Sequence, residues 1–252
     1  MTSSQANRVV PESFVQSAEF YDIMCEEEWN LRREAIASEL ITISGNAGPV
    51  IDIGSGTGRG VELIAKTLPT ANIIAVEPSS IMRAGLMSRI MASKDLRERV
   101  SVFPCRMQEL DMPDNLSAVL LIGCIGFMDK SARRQMWRAL SEKLDANGLI
   151  IVDVMMIDKA QSVSNRQVAC VQIGRYFYEV WMEGFPVDEN TERWTVTYLV
   201  RDECTVLSSF KLSYGWLAFG LKQIESEASE MGFSFTHLSQ TSLPIGVLRF
   251  SR

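Results

Sequence analysis

Residues 50–80 read VIDIGSGTGRGVELIAKTLPTANIIAVEPSS. Gly54, Gly56 and Gly58 alternate directly after the run Val50–Ile53, and Glu77 ends the next apolar run, 19 residues beyond Gly58. Glycines so spaced let the chain turn tightly and leave no side chain between the loop's N–H groups and a ligand. The helix start that follows offers unpaired N–H donors and partial positive charge. An acid at the tip of the second strand can accept both hydroxyls of a ribose diol and would repel a 2′-phosphate. A dinucleotide fingerprint needs a small third residue. Counted from each glycine in turn, that place is held by Arg59, Val61 or Leu63. A phosphate loop needs Gly-Lys-Ser/Thr, which the chain lacks. The ligand these residues suit is a nucleoside with an intact ribose and no pyrophosphate; the plainer reading is a strand–helix turn with a surface acid.

The elements that must position this loop alternate. Residues Phe14 to Ile41 predict one or two helices, followed by a polar loop, SGNAGP. Next come strand Val50–Ile53, helix Gly58–Leu68, strand Asn72–Val76, helix Ser79–Ala92, strand Val100–Pro104, strand Ala118–Ile122, helix Lys130–Leu144 and strand Leu149–Val154. Short, continuously apolar strands such as VLLIG are those covered by helices on both faces. The alternation predicts an α/β fold with a doubly wound, mostly parallel seven-stranded sheet. DANGLI supplies a turn before the fifth strand. After Ile157 the period becomes two: RYFYEVW, RWTVTYLV and TVLSSFKLSY read as antiparallel strands. A helix Trp216–Glu230 stops at Gly232, and SFTHLS and GVLRF close the chain. The expectation is a single domain over 1–252, with an N-terminal helical cover over 1–45 and an antiparallel β insertion over 158–215 as a lid on the substrate.

Composition excludes several classes. Net charge is −6 and no basic stripe occurs, which argues against a nucleic-acid partner. The five cysteines form no CxxC pair, so no metal site or disulfide framework is expected. The opening residues MTSSQANRVVPESF lack a signal pattern, and no run of 18 apolar residues appears; a cytoplasmic protein without membrane partners is expected.

VIDIGSGTGRG with IIAVEPS resembles the first two motifs of class I S-adenosylmethionine-dependent methyltransferases, and the element order is similar over nearly the whole chain. LDANGLIIVDV resembles their stretch before the fifth strand. The resemblance implies S-adenosyl-L-methionine as cofactor. It sets the backbone of Gly54, Ser55 and Gly56, with Gly58 closing the loop, against the methionine portion. Asp52 would orient the amino end, Glu77 would hold the ribose with Pro78 nearby, Met107 would flank the adenine, and the Gly123 carbonyl would take the ammonium. AEFYDIM resembles the entry helix of small-molecule N-methyltransferases, including those for aminosugars and peptide N-termini. Tyr21 would then cap the cofactor, and Arg33 would pair with its carboxylate, Arg32 being the alternative; Trp29 reads as packing. Three positions depart from the pattern. Arg106 stands where the family usually has an acid, Ser117 where an aspartate commonly opens the fourth strand, and Ala146-Asn147 where it has Pro-Gly.

Methyl transfer needs alignment and a dry site more than covalent help. Tyr176, Tyr178, Trp181, Trp194, Tyr198, Phe210 and Tyr214 are candidates for its wall, although only one face of each strand can see a pocket. The one histidine, His237, lies in the predicted terminal hairpin and reads as structural. Without a histidine base, N-methylation of a small molecule or peptide terminus comes ahead of O- and then C-methylation. Tyr21, Tyr178 and Glu179 are the catalytic candidates, with Asp158 and Asp153 behind them. A cofactor-retaining cyclase or a non-catalytic cofactor binder are the alternatives, and the chain is expected as monomer or homodimer.

Overall fold

A computed structural model describes residues 13–43, 45 and 48–250. The expected absence of a signal pattern and part of the SGNAGP loop lie outside the described residues. Helix α1 (Ser13–Leu40) opens the fold. There follow β1 (Val50–Ile53), α2 (Arg59–Thr67), β2 (Ile73–Val76), α3 (Ser80–Ala92), α4 (Lys94–Arg99), β3 (Val100–Phe103), β4 (Leu116–Leu121), α5 (Lys130–Lys143) and β5 (Leu144–Asp153). The sheet runs β10-β11-β5-β4-β1-β2-β3, where β10 (Phe233–His237) and β11 (Ile245–Phe250) are the closing hairpin. Strands β1 to β5 pair in parallel and only β11 runs antiparallel to β5.

Each strand buries alternate residues on opposite faces, so the sheet has two cores. On one face Val50, Ala75, Leu120 and Ile151 meet α1, α2 and α3 through Ile36, Leu40, Val61, Ile64 and Leu86. On the other, Ile51, Val119, Leu121 and Ile150 meet α5 and α6 (Leu221–Ser229) through Trp137, Leu140 and Ile224. This is the doubly wound arrangement that the apolar strands and alternating elements imply.

A second, four-stranded antiparallel sheet is built from β6 (Val163–Ile173), β7 (Tyr176–Pro186), β8 (Thr191–Arg201) and β9 (Val206–Leu217), in that order. Its inner face carries Tyr178, Val180, Met182, Val196, Tyr198, Phe210, Leu212 and Tyr214 against Phe20 of α1.

Four details differ from the sequence reading. Strand β6 is not expected from the sequence, because VSNRQVACVQI has four consecutive polar residues after Val163 and is mostly exposed, with no regular alternation. Helix α4 was not foreseen either: KDLRER has one apolar residue, Leu96, and is started by the Ser93 side chain, which accepts from the Leu96 N–H at 3.4 Å. The last helix begins at Leu221, not Trp216, because Trp216 and Leu217 extend β9 and pair with Glu192 and Thr191. The Asn147-Gly148 turn is an excursion within β5: Leu144 pairs with Leu116, and pairing resumes at Leu149 with Ala118.

Candidate functional site

In an open α/β sheet, ligands bind beyond the strands' carboxyl ends where the order of strands reverses. Here that point lies between β1 and β4, at Gly54 and Gly123. Gly54, Gly56 and Gly58 all have positive φ, of 70°, 54° and 96°, which L side chains rarely adopt. A Cβ on Gly56 would also lie 3.1 Å from the Tyr21 hydroxyl and one on Gly54 2.8 Å from the Cys124 side chain. Tyr21 of α1 therefore rests directly on the loop. The glycines give it room to do so.

The Glu77 carboxylate is buried and reaches back to this loop. Its Oε2 accepts from the Gly56 N–H at 2.9 Å and its Oε1 from the Ser79 N–H at 2.7 Å. Burial raises its pKa, while those two donors and Arg83 oppose the rise. Asp52 lies beneath the loop, buried, with Oδ2 lacking a hydrogen-bond partner among the described residues. The space over it exists because residue 60 is glycine: a Cβ there would sit 2.6 Å from Oδ2. Burial lifts this carboxyl to about 7, Glu77 adding to the effect.

One stripe of α1 faces the crevice. Tyr21, Cys25, Glu28 and Arg32 are spaced four, three and four residues apart, which keeps them in phase on a helix. Cys25, burial and Glu77 together hold the Tyr21 phenol well above its usual range, so it remains a hydrogen-bond donor. Burial pushes the Cys25 thiol up to about 12. Burial, Asp153 and Asp52 raise Cys124 likewise. Arg32 is buried and donates to Asp153 Oδ2 at 2.6 Å and Glu28 Oε2 at 2.7 Å. Asp153 Oδ1 takes the Gly123 N–H at 2.7 Å, which joins the ends of β4 and β5.

These positions correct two expectations. Arg33 is exposed, and the arginine facing the crevice is Arg32. The phase of α1 explains it: eleven residues from Tyr21 return a helix nearly to the same face, and twelve overshoot by a third of a turn. Glu179, a catalytic candidate, alternates with Tyr178 and Val180 and so points to the face of the second sheet away from α1. There it is tied to Trp181 Nε1 at 3.0 Å and Arg201 Nε at 2.6 Å; these partners outweigh its burial and lower its pKa. Trp181 shares that outer face. Tyr178, Tyr198 and Phe210 ring the Phe20 side chain at centroid distances of 5.6, 5.1 and 5.9 Å.

Met107 is buried in the core beside Ile53 and Val76, and Pro78 is half-buried next to Glu77. The three departures from the expected motifs have local partners or consequences. The Arg106 N–H is held by Glu109 Oε2 at 3.0 Å. Ser117 Oγ donates to the Gly48 carbonyl at 2.8 Å, and Ala146-Asn147 lies in the β5 excursion. His237 is exposed at the end of edge strand β10, three strands from β4.

A second layer of contacts was not legible as a unit in the sequence. Asp22 Oδ1 accepts from Thr57 Oγ1 at 2.5 Å and from Arg59 Nε at 3.2 Å, and Asp22 Oδ2 accepts from Arg89 at 2.5 Å. The side chain at position 59, which removes the dinucleotide fingerprint, thus binds α1. Among the described residues no cluster of His, Cys, Asp or Glu could hold a metal, and no helix is long and apolar enough to cross a membrane.

A family model described as a methyltransferase domain matches residues 50–148, from β1 into the β5 excursion. No curated protein sequence matches the chain. Solved structures of similar fold include SAM-bound CalS10, an amino pentose methyltransferase from Micromonospora echinaspora. It is 16% identical, with a TM-score of 0.71 over 88% of this chain and 92% of that one. The sugar N-methyltransferase KedS8 from a Streptoalloteichus species is 16% identical, with a TM-score of 0.71 over 100% and 98%. DesVI from Streptomyces venezuelae is 15% identical, with a TM-score of 0.72 over 95% and 96%.

Proposed function

We propose that this chain, which carries a class I methyltransferase domain, uses S-adenosylmethionine to methylate a nitrogen on a small molecule or peptide terminus, with an amino sugar the first candidate. The observation that carries the reading is the Glu77 carboxylate gripping the Gly56 N–H beneath Tyr21. Glu77 now holds two N–H donors, and the two hydroxyls of a ribose offer it the same chemistry. Gly54, Ser55 and Gly56 would bare their backbone to the methionine portion. Asp52 Oδ2 has no partner among the described residues and is a polar atom left for the amino end of the ligand. Met107 would flank the adenine, with Pro78 at the ribose. The Gly123 carbonyl would face the ammonium, and Arg32, in place of Arg33, would be the cation nearest the methionine carboxylate. When bound, the cofactor supplies a methyl group activated by a sulfonium.

The chain's own part is to align the acceptor and keep water away, which can supply on the order of 7–11 kcal/mol. Tyr21 closes the loop from above. The inner face of the second sheet, with Tyr178, Trp194, Tyr198, Phe210 and Tyr214, would form the aromatic wall.

Among the described residues, the groups that α1 and the ends of β4 and β5 turn to the crevice offer no free base. Asp153 is committed to Arg32 and the Gly123 N–H, Cys25 and Cys124 are held as thiols, and Tyr21 is held as a phenol. An amine arriving with its lone pair needs no such base, whereas a phenol or alcohol does. That balance favours nitrogen. KedS8 is a sugar N-methyltransferase and CalS10 an amino pentose methyltransferase of calicheamicin biosynthesis, which supports an amino-sugar acceptor and a step in natural-product biosynthesis.

The test is incubation with methyl-labelled cofactor and a panel of nucleotide-linked amino sugars, short peptides and phenols, read by mass spectrometry. Label on a nitrogen is expected. Label only on phenol oxygens would overturn the nitrogen assignment, and absence of cofactor binding by calorimetry would overturn the whole reading.

A further inference from the structure

Helix α1 covers the glycine loop, and the way it is fastened there differs along its length. Its C-terminal half is sealed by apolar burial: Ala35, Ile36 and Leu40 lie in the core of the parallel sheet. Near Tyr21 the edge facing α3 is not packed. A groove of about 400 Å³ runs there between Ala18 and Glu19 of α1 and Gly85, Ser88 and Ala92 of α3. Along this edge charge takes the place of packing.

Asp22, next to Tyr21 on the groove side, is the centre of a chain of ion pairs. Arg59 at the start of α2 bridges Asp22 and Glu26, the latter at 2.5 Å. Arg89 of α3 bridges Asp22 and Glu62, both at 2.5 Å. Two contacts run to the loop itself: Thr57 Oγ1 donates to Asp22 and Arg89 Nε donates to the Thr57 carbonyl at 2.9 Å. The loop that presents Gly56 is therefore tied at its next residue to the helix that presents Tyr21.

We infer that Asp22 is a positioning residue that latches α1 onto Thr57, Arg59 and Arg89, so that exchange of the ligand under Tyr21 requires these ion pairs to break. This deepens the proposed function and rests on it, since the latch matters only if the loop holds the cofactor. The Asp22 side chain is 37% exposed and Arg59 and Arg89 are 20% and 24% exposed. Isolated pairs at that exposure are weak; a shared network with two arginines on one carboxylate is stronger and still open to screening by salt. Breaking it frees the edge of α1 that faces α3, while Phe20 keeps the same turn of the helix packed on the second sheet.

The experiment measures release of S-adenosylhomocysteine from the full chain by stopped-flow, at low salt and at about 0.5 M salt. Wild-type release is expected to quicken with salt. Asp22→Asn is expected to release the ligand about tenfold faster at low salt and to lose most of the salt dependence, with an unchanged thermal midpoint. Glu26→Gln, at the outer end of the chain of pairs, is expected to fold normally and give a smaller increase in the same direction, and it carries the test if Asp22→Asn does not fold. Salt-independent release by the wild type would overturn the latch, as would folded variants that release at the wild-type rate. Failure of the wild type to bind at all would overturn the cofactor reading, and the latch with it; normal binding with unaltered kinetics in the variants overturns the latch alone.

Discussion

Where β1 runs into α2, the surface offered to a ligand is main chain: Gly54, Gly56 and Gly58 carry no side chain, and the amides of Gly54, Ser55, Gly56 and Gly58 are held inward by the Val76 carbonyl, the Glu77 carboxylate and the Ser55 carbonyl. Across the crevice, the second sheet offers only side chains, set out every second residue on β7, β8 and β9. The first region depends on backbone conformation and tolerates almost no Cβ. The second depends on strand register, since a slip of one residue would bring Glu179 and Trp181 inward in place of Tyr178 and Val180. Cofactor recognition should therefore be broken by changes that add atoms to the first region, whereas changes to the second should act on stability and on the acceptor.

The largest expected effect is at Gly56. Replacement by Val puts a branched side chain at φ 54° and against Tyr21, and should abolish cofactor binding in calorimetry while the chain stays folded by circular dichroism. Retained binding would show that the loop does not approach the ligand. In the other region, Phe20→Ala empties the contact between α1 and the second sheet and should cost about 3–5 kcal/mol in urea unfolding. A cost near zero would mean that the two are not packed as described.

Asp52 gives a pH signature. Its carboxyl is lifted to about 7, so between the ordinary carboxylate range and that value the folded chain keeps a proton that the unfolded chain has released. Stability must then fall as pH rises through this window. Asp52→Asn cannot ionise, and its unfolding free energy relative to wild type should grow by on the order of 3 kcal/mol between about pH 5 and pH 8. Parallel pH curves for the two proteins would place the Asp52 carboxyl in a hydrated or paired setting instead.

Glu77→Ala removes two buried charged hydrogen bonds and the ribose acceptor, and should weaken cofactor binding by about 1–3 kcal/mol. Unchanged affinity would refute the ribose assignment. The smallest effect on binding is expected from Glu179→Gln, which loosens the Arg201 pair on the outer face; cofactor affinity should match wild type, and a marked drop would mean that the outer face communicates with the crevice.

Much of the first region could be read from the chain because it is encoded within some 30 consecutive residues. Glycine spacing, the apolar strands around it and the acid at the next strand's end are all local, and the doubly wound sheet follows from the same alternation. The Arg32 position is legible too, because Arg32 is in helical phase with Tyr21, Cys25 and Glu28 and Arg33 is not. Strand β6 was hidden because its exposed polar residues give no clear period, and the start of the last helix was misplaced because Trp216 and Leu217 have apolar side chains that suit either element.

The sequence alone determined a glycine-lined turn, the strand that feeds it and a carboxylate one strand away, because backbone conformation and short-range periodicity are set by neighbours in the chain. Tertiary structure decided what those groups meet. Asp22, the pair Thr57 and Arg59, and Arg89 come from three separate segments, and nothing in their spacing foretells that they converge. Strand register likewise decided that Glu179 turns outward, since pairing between distant segments selects the face on which each side chain lies.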